Sequence, residues 1–289
     1  MSVNIPSHFI LEFNAQTALL RQIKGGKFRS RVMNGTHTGE GASPVSQFAG
    51  VEMQTAGSRF APINYVDGDV ARRWVYPEDK ELPQRLDKRD LLRLIEDPKG
   101  PMAENAVMAV GREEDRQIIA AFNATANIGK QGGSTEAFDT ANFQIASGSL
   151  GLTVDKLREV RKKFGAANVD LEAETPNLAI SPAQMDDLLS QIEVTSADFN
   201  TARALESGRV MRYMGFDIFE TNLLPVASGV RSCFAWVKSG VHFGTWKSPT
   251  SRLDEAKHLS GYPWVLYTEM TTGATRLEQG RVIEILCSE

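Results

Sequence analysis

PMAENAVMAVGREEDRQIIAAFN, residues Pro101 to Asn123, is the stretch on which the reading of this 289-residue chain turns. Pro101 suits a first helical position, because its fixed φ is already helical and its missing N–H would be an orphan donor there. Apolar side chains recur at Ala103, Ala106, Val107, Val110, Ile118, Ala121 and Phe122, close to the 3.6-residue helical period. Arg112 to Gln117 break in as a polar girdle. At about 1.5 Å per residue such a helix spans roughly 35 Å, enough to cross a domain. The stretch therefore predicts a strut, with one face that includes Val110 on a sheet of its own domain and the girdle turned to solvent or a neighbour.

C-terminal to the strut, residues 124–149 are small and polar and read as an exposed loop. Thr153 opens a helix that shares Leu157, Val160 and Phe164 on one face and carries Arg161, Lys162 and Lys163 in its last turn. Cations there complement the helix dipole, and Gly165 fits the position just past the end. Asn177 to Ile180 reads as a strand running into Ser181-Pro182-Ala183-Gln184, a capping box with proline at the first helical position. Met185, Leu188, Leu189 and Ile192 give that helix its buried face. Residues 208–225, GRVMRYMGFDIFETNLLP, read as a strand pair around Gly215. Residues 233–246 alternate aromatic and small side chains like a strand, and residues 250–260 form a polar, charged segment for which a helix is one reading. Two strands, PWVLYTEMTT and RVIEILC, close the chain.

N-terminal to the strut, residues 7–24 place Phe9, Ile10, Phe13, Leu20 and Ile23 at helical spacing, and Gly25-Gly26 stops the pattern. From Lys27 to Val75 the texture is polar and glycine-rich, with strand-like pieces on either side of Asp67-Gly68, a hairpin signal. Too few large apolar residues lie there for an independent core, which predicts a long two-stranded excursion packed on something else. Leu91, Leu92, Leu94 and Ile95 form an apolar knot that Asp97-Pro98 closes ahead of the strut.

With 42% hydrophobic residues the chain can bury a sizeable core, and a net charge of −4 with a pI near 5.7 gives no global basic field to hold a polyanion. No run approaches the ~18 apolar residues of a membrane span, and no secretory signal opens the chain, so a soluble, intracellular protein is expected. Cys233 and Cys287 lack metal or redox spacing; they fit a reducing compartment as free thiols, with a single bridge as the alternative.

No stretch of the sequence completes a catalytic constellation. GKQGGST, residues 129–135, has the glycines of a phosphate loop but follows a helix and has Gln131 where Ser or Thr belongs. NGTHTGEG, residues 34–41, lacks a following helix. Ser149 in SGSLG misses the nucleophile-elbow pattern because Ser147 stands where glycine is needed. His8, His37, His242 and His258 are scattered and without metal spacing. Glu113, Glu114 and Asp115 are consecutive on a helix, about 100° apart, and cannot converge on one bond. Arg72, Arg73 and Trp74 could stack on nucleic acid, but Asp67, Asp69, Glu78, Asp79 and Glu81 surround them and favour a protein surface. No catalytic, metal-binding or cofactor-binding residue is assigned, no cofactor is expected, and a non-enzymatic protein is the reading.

Three stretches together resemble the major capsid proteins of tailed bacteriophages. DLLRLIEDPKGPMAENAVMAVGREEDRQIIAAF is similar to that family's entry into its spine helix. NLAISPAQMDDLL followed by SGRVMRYMGFDIFETNLLP is similar to its strand, capped helix and G-F-x-I-x-x-x-N-x-L-P passage, and YTEMTTGATRLEQGRVIEIL to its closing strands. In order they cover most of residues 80–289, while residues 1–75 match by texture. The resemblance implies an α+β chain with the tailed-phage capsid (Johnson) fold: an N-terminal arm over residues 1–26, an extended loop over 27–76, a peripheral domain over 77–175 with spine helix 101–123, an axial domain over 176–262, and closing strands of the peripheral domain over 263–289. It further implies self-association as hexamers and pentamers into an icosahedral shell enclosing double-stranded DNA without sequence-specific binding. A portal, a decoration protein and, because the chain begins almost directly with the arm, a separate scaffolding protein are the expected partners. The expected location is the virion capsid, after assembly in the host cytoplasm, with no covalent cross-link. The alternatives are an encapsulin-like nanocompartment shell protein and an uncharacterised soluble enzyme with its site on loops 34–50 or 124–149.

Overall fold

In the computed structural model, residues 25–48, 50–55, 57–58, 65–66, 70–86, 99–191 and 210–289 are described. The long helix α1 runs Lys99–Asn123, so Pro101 falls in its first turn, where four N–H groups lack an intrahelical partner in any case. The expected helical arm over 7–24, the Asp67-Gly68 turn, the apolar knot at 91–95 and Ile192 lie outside the described residues.

Strands form three sheets. The first, in the order β1-β13-β14-β4, joins β1 (Met33–Thr36), β13 (Val241–Glu255), β14 (Trp264–Arg276) and β4 (Glu78–Leu86). The second runs β7-β15-β12-β8-β10-β9, from β7 (Gln144–Ile145), β15 (Val282–Ser288), β12 (Val230–Trp236), β8 (Asn177–Ile180), β10 (Phe216–Glu220) and β9 (Arg212–Tyr213); β11 (Val226–Ala227) pairs with β12. The third, β2-β3-β5-β6, contains β2 (Ala42–Phe48), β3 (Val70–Val75), β5 (Ala126–Ile128) and β6 (Ser134–Glu136). Three further helices are α2 (Thr140–Phe143), α3 (Val154–Ala166) and α4 (Pro182–Leu189). The two closing strands part company: β14 pairs with β13 and β4, whereas β15 pairs with β12 and β7, so residues 263–289 serve both sheets.

The seven-stranded sheet is buried on both faces, which is why β8 (NLAI) and the CFAW end of β12 read as unbroken apolar runs. Side chains alternate across the strand. Phe234 and Trp236 lie against Phe122 of α1, with ring centroids 4.9 and 4.6 Å apart, while Cys233 on the opposite face approaches Gln184 of α4. Both cysteines are free, buried thiols, with no bridge between them. As expected, Thr153 caps α3 on the Lys156 amide, and Ser181 with Gln184 closes a capping box on α4. The strand pair around Gly215 is also present, with Phe216 opposite Tyr213.

Four expectations are corrected. Residues 124–149 are not an exposed loop but carry β5, β6, α2 and β7, with Ala126, Phe138 and Ile145 buried; elements of two to four residues are too short to leave a period. The segment from 250 continues β13 as a strand to Glu255, and because both its faces are exposed it shows no alternation. Gly165 lies inside α3, which ends at Ala166.

The fourth correction concerns the polar girdle, two of whose six residues point inward. Glu114 and Asp115 are buried, whereas Val110 is only half-buried and the helix is seated by Ile118 and Phe122. Asp115 accepts the backbone N–H of Lys27 at 3.2 Å and of Phe28 at 3.1 Å, and Glu114 pairs with Arg29 at 2.6 Å. Burial raises the Asp115 carboxyl above the usual carboxylate range, against the backbone N–H groups of Phe28, Lys27 and Gly26, which pull it down. One turn earlier Gly25 crosses Gly111 so closely that a Cβ on Gly25 would strike the helix backbone, and the Gly26 N–H donates to the Gly111 carbonyl at 3.1 Å.

Phe28 then enters the core. It stacks on Trp236 at 5.4 Å, meets Phe219 edge-on at 5.0 Å and touches Phe122. Replacing Asp115 with alanine strands the buried Phe28 N–H and the part-buried Lys27 N–H, and we expect Asp115→Ala to lower unfolding free energy by about 1–3 kcal/mol. A urea midpoint on the dissociated subunit measures it; an unshifted midpoint would contradict this role for the carboxylate.

Candidate assembly surface

The two-stranded excursion is rooted on the body, and its described large apolar residues beyond the root are exposed. β2 and β3 pair antiparallel from Ala42 opposite Val75 to Phe48 opposite Val70. Along β2 and β3, Gln47 Nε2 donates to the Leu277 carbonyl and Trp74 Nε1 to the Gly129 carbonyl, each at 2.8 Å, and buried Arg73 forms an ion pair with Glu136. Further out, Val51, Met53, Tyr65, Val66 and Val70 stand exposed, Met53 fully and Tyr65 at 87%. Large apolar side chains left in water on an excursion without its own core form a surface suited to contact with another chain.

The excursion leaves the body across a row of glycines. Gly35 of β1, Gly244 of β13 and Gly273 of β14 are register neighbours across three strands. A Cβ on Gly273 would collide with the Tyr76 carbonyl oxygen, and one on Gly244 would crowd His37 and Trp246. The row thus lets both roots, residues 37–41 and 75–77, lie directly on the sheet.

Beyond this row, β13, β14 and β4 continue as a ribbon exposed along β13 from Lys247 to Glu255. Its faces carry polar ladders. Glu269 bridges Lys247 at 2.5 Å and Arg252 at 3.1 Å, Tyr267 donates to Glu81, and Thr271 donates to Asp79. The Lys247 hydrogen bond holds the Glu269 carboxyl below its usual value. Pro83 in β4 and Pro249 beside the register shifts of β13 have no N–H to offer an added strand, and charged side chains stand two residues away, Glu81 and Arg85 about the first and Lys247 before the second. Such edges oppose strand addition, so contact here goes through side chains. A groove of about 300 Å³ between ribbon and α1 is lined by Lys80, Glu113, Arg116, Thr268 and Met270. Lys80 spans it to Glu113 at 3.2 Å, and Arg116 reaches the same carboxylate at 3.3 Å. Opposed charges that already satisfy one another leave no free acid–base pair there.

The residues weighed for chemistry are dispersed. Gly129 and Gly132, both with positive φ, turn the β5–β6 hairpin, and Gly132 packs on Trp74. Ser149 is an exposed turn residue, His258 is exposed, and His8 lies outside the described residues. Arg73 is spent on Glu136 rather than offered to a phosphate. His37 and His242, 205 positions apart, are brought together with Nε2 atoms 2.8 Å apart, a pairing that no local motif signals. Among the described residues no three His, Cys, Asp or Glu side chains cluster as metal ligands, and no helix is long and apolar enough to cross a membrane.

A fold with a long helix, a doubly covered sheet and a rooted, uncovered excursion matches solved phage capsids. The capsid of cyanophage P-SCSP1u superposes with a TM-score of 0.76 at 15% identity, covering 97% of this chain and 94% of that one. A structure from Mycobacterium phage Che8 gives 0.74 at 13% identity, covering 97% and 98%, and the capsid of Helicobacter pylori bacteriophage KHP30 gives 0.73 at 12%, covering 100% and 99%. At these identities the likeness is one of fold. A search of curated proteins finds no match. The model of the phage capsid protein family matches residues 5–289, and the chain belongs to that family. It is a major capsid protein, a subunit of the phage shell.

The glycine row supplies a test of how the excursion is mounted. Gly273→Ala should cost about 1–3 kcal/mol by forcing the Tyr76 backbone off β14. Gly50→Ala, which meets nothing within 4 Å, should stay within about 0.5 kcal/mol of wild type. Urea midpoints of the two variants compare them directly, and equal midpoints would remove the crossing from the account.

Proposed function

We propose that this subunit assembles as hexamers and pentamers that close into an icosahedral shell around double-stranded phage DNA, each excursion lying on a neighbouring copy. The observation that carries this reading is the uncovered apolar set Val51, Met53, Tyr65, Val66 and Val70 on a projection whose root is fixed to the body. One chain that must serve in several slightly different environments needs a rigid body and an extension that can adapt beyond its root. In this reading residues 77–175 form the peripheral domain and 176–262 the axial domain, with 263–289 closing both.

A net charge of −4 suits a container that holds DNA without binding its sequence and later releases it, since strong phosphate neutralisation would retain it. A scaffolding protein, a portal and a decoration protein are the further partners of such a shell, which would assemble in the host cytoplasm. The chain's work is structural rather than catalytic.

Electron microscopy of the native particle tests the reading: capsomers of six and five subunits in a closed, DNA-filled shell are expected, and a discrete small oligomer would overturn it. Met53→Asp tests the excursion itself. Because Met53 is fully exposed, subunit stability should change by no more than about 0.5 kcal/mol. Particle yield should nonetheless fall at least tenfold by sedimentation, and wild-type yield would show that the excursion tip is not a contact.

A further inference from the structure

The chain reaches β2 from β1 through a connector, residues 37–41, that folds back over β13. Three contacts hold it there. The His37 N–H donates to the Thr245 carbonyl at 3.0 Å, Trp246 Nε1 donates to the Gly39 carbonyl at 2.9 Å, and His37 Nε2 meets His242 Nε2 at 2.8 Å. The glycine row makes the room: a Cβ on Gly35 would lie 2.8 Å from His242 Cε1, and one on Gly244 would lie 2.8 Å from His37 Cδ2. His242 is buried, and its Nδ1 is buried without a partner.

We propose that the His37–His242 pair is a proton-operated latch: with one proton between the facing Nε2 atoms it pins the connector to β13, and a second proton drives the rings apart and frees the root of the excursion. The neutral or singly charged pair needs only one N–H between two lone pairs. A doubly charged pair would aim two N–H groups at each other over 2.8 Å, with two positive charges and no lone pair to receive either.

No neighbouring group offsets that second charge. β1 from Met33 to Thr36 has no ionisable side chain, and Thr275 of β14 is register partner to His242. Tyr76 crosses at Gly273, Lys247 of β13 is engaged with Glu269, and Glu40 of the connector is exposed. Trp246 lies against the His37 ring at 5.2 Å. Among the described residues no carboxylate hydrogen-bonds to either imidazole.

The direction of the pH response follows from burial. Desolvation, and then the charge of His37, hold His242 at about 4, below its ordinary 6.5, and burial also lowers His37. Between those values the opened state binds more protons than the latched one, so acidification favours opening. By linkage the opening constant should rise about thirtyfold from pH 6.5 to pH 4.5.

Hydrogen–deuterium exchange of the full-length protein, corrected for intrinsic exchange at each pH, reads this directly. Protection of residues 33–41 should fall about thirtyfold between those pH values while β12 and β15 stay protected. His242→Gln and His37→Gln each retain a hydrogen-bonding side chain that takes up no second proton, and should flatten the dependence. An undiminished fall in a folded variant, or no fall in wild type, overturns the latch. Should His242→Gln fail to fold, His37→Gln, in the half-exposed connector, decides alone. The latch concerns a single chain, and its fate is separate from that of the shell reading.

Discussion

The structure hangs on the seat that α1 makes for Phe28. Two backbone amides, of Lys27 and Phe28, point at the buried carboxylate of Asp115, and this fixes where the chain enters the core. From there the Phe28 ring joins three elements at once: Phe122 of the long helix, Trp236 of β12 and Phe219 of β10. Trp236 then returns its indole N–H to the Arg31 carbonyl at 2.9 Å, so the turn after Phe28 is tied from the sheet side as well. A carboxylate in an apolar site is costly to desolvate, and this one is tolerated because it satisfies amides that would otherwise be orphaned. At the other end of α1, buried Arg276 donates to the Phe122 and Ala124 carbonyls, where the helix leaves acceptors unfilled. Burial and the nearby charge of Arg73 lower Arg276 to about 10, so it remains a cation in this role at neutral pH. The helix is held as a strut by the buried carboxyl groups of Glu114 and Asp115 near its middle and by Arg276 at its end.

What the seat fixes, the glycine row extends. β1 begins five residues after Phe28 and lies parallel to β13, beside the row of Gly35, Gly244 and Gly273. Glycine is needed here less for its φ than for its missing side chain, because connector and crossing strand rest where Cβ atoms would stand. The excursion is therefore clamped at both roots, while among the described residues its far part makes no comparable tie. That division into a fixed root and an uncovered reach is what a subunit needs if one chain is to meet neighbours at several angles.

Much of this fold was legible in the sequence, for reasons that also explain what was hidden. The helix over 99–123, the capped helices after Thr153 and Ser181 and the strand pair around Gly215 are written in local periods and caps. The two-stranded excursion was legible from what it lacks, namely enough apolar side chains for its own core. Asp115 was misread because a carboxylate among charged neighbours looks solvated; only the distant Lys27 and Phe28 amides, 88 and 87 positions away, give it a buried task. The segment from residue 250 hid its strand for the opposite reason, since a strand with both faces exposed has no apolar alternation to detect. His37 and His242 belong to a third class, a contact made where the connector after β1 folds back over β13, which no spacing within either segment encodes.

The same two-faced polarity bears on how a shell subunit stays separate before assembly. An exposed ribbon with free edges invites pairing with other chains, and here proline and charge sit on β4 and at the irregular part of β13, where an added strand would need donors and flatness. Its faces spend their charges internally, Lys247 and Arg252 on Glu269 and Lys80 on Glu78 and Glu113. Exposed ion pairs of this kind contribute little to stability. Their effect is to make the ribbon a poor template for indiscriminate contact, which leaves the apolar reach of the excursion as the surface with most to gain from a partner. If the excursion lies on a neighbouring copy, as proposed, specificity in assembly comes from where it is rooted rather than from the strength of any one contact, because a fixed root limits which part of a neighbour the reach can touch.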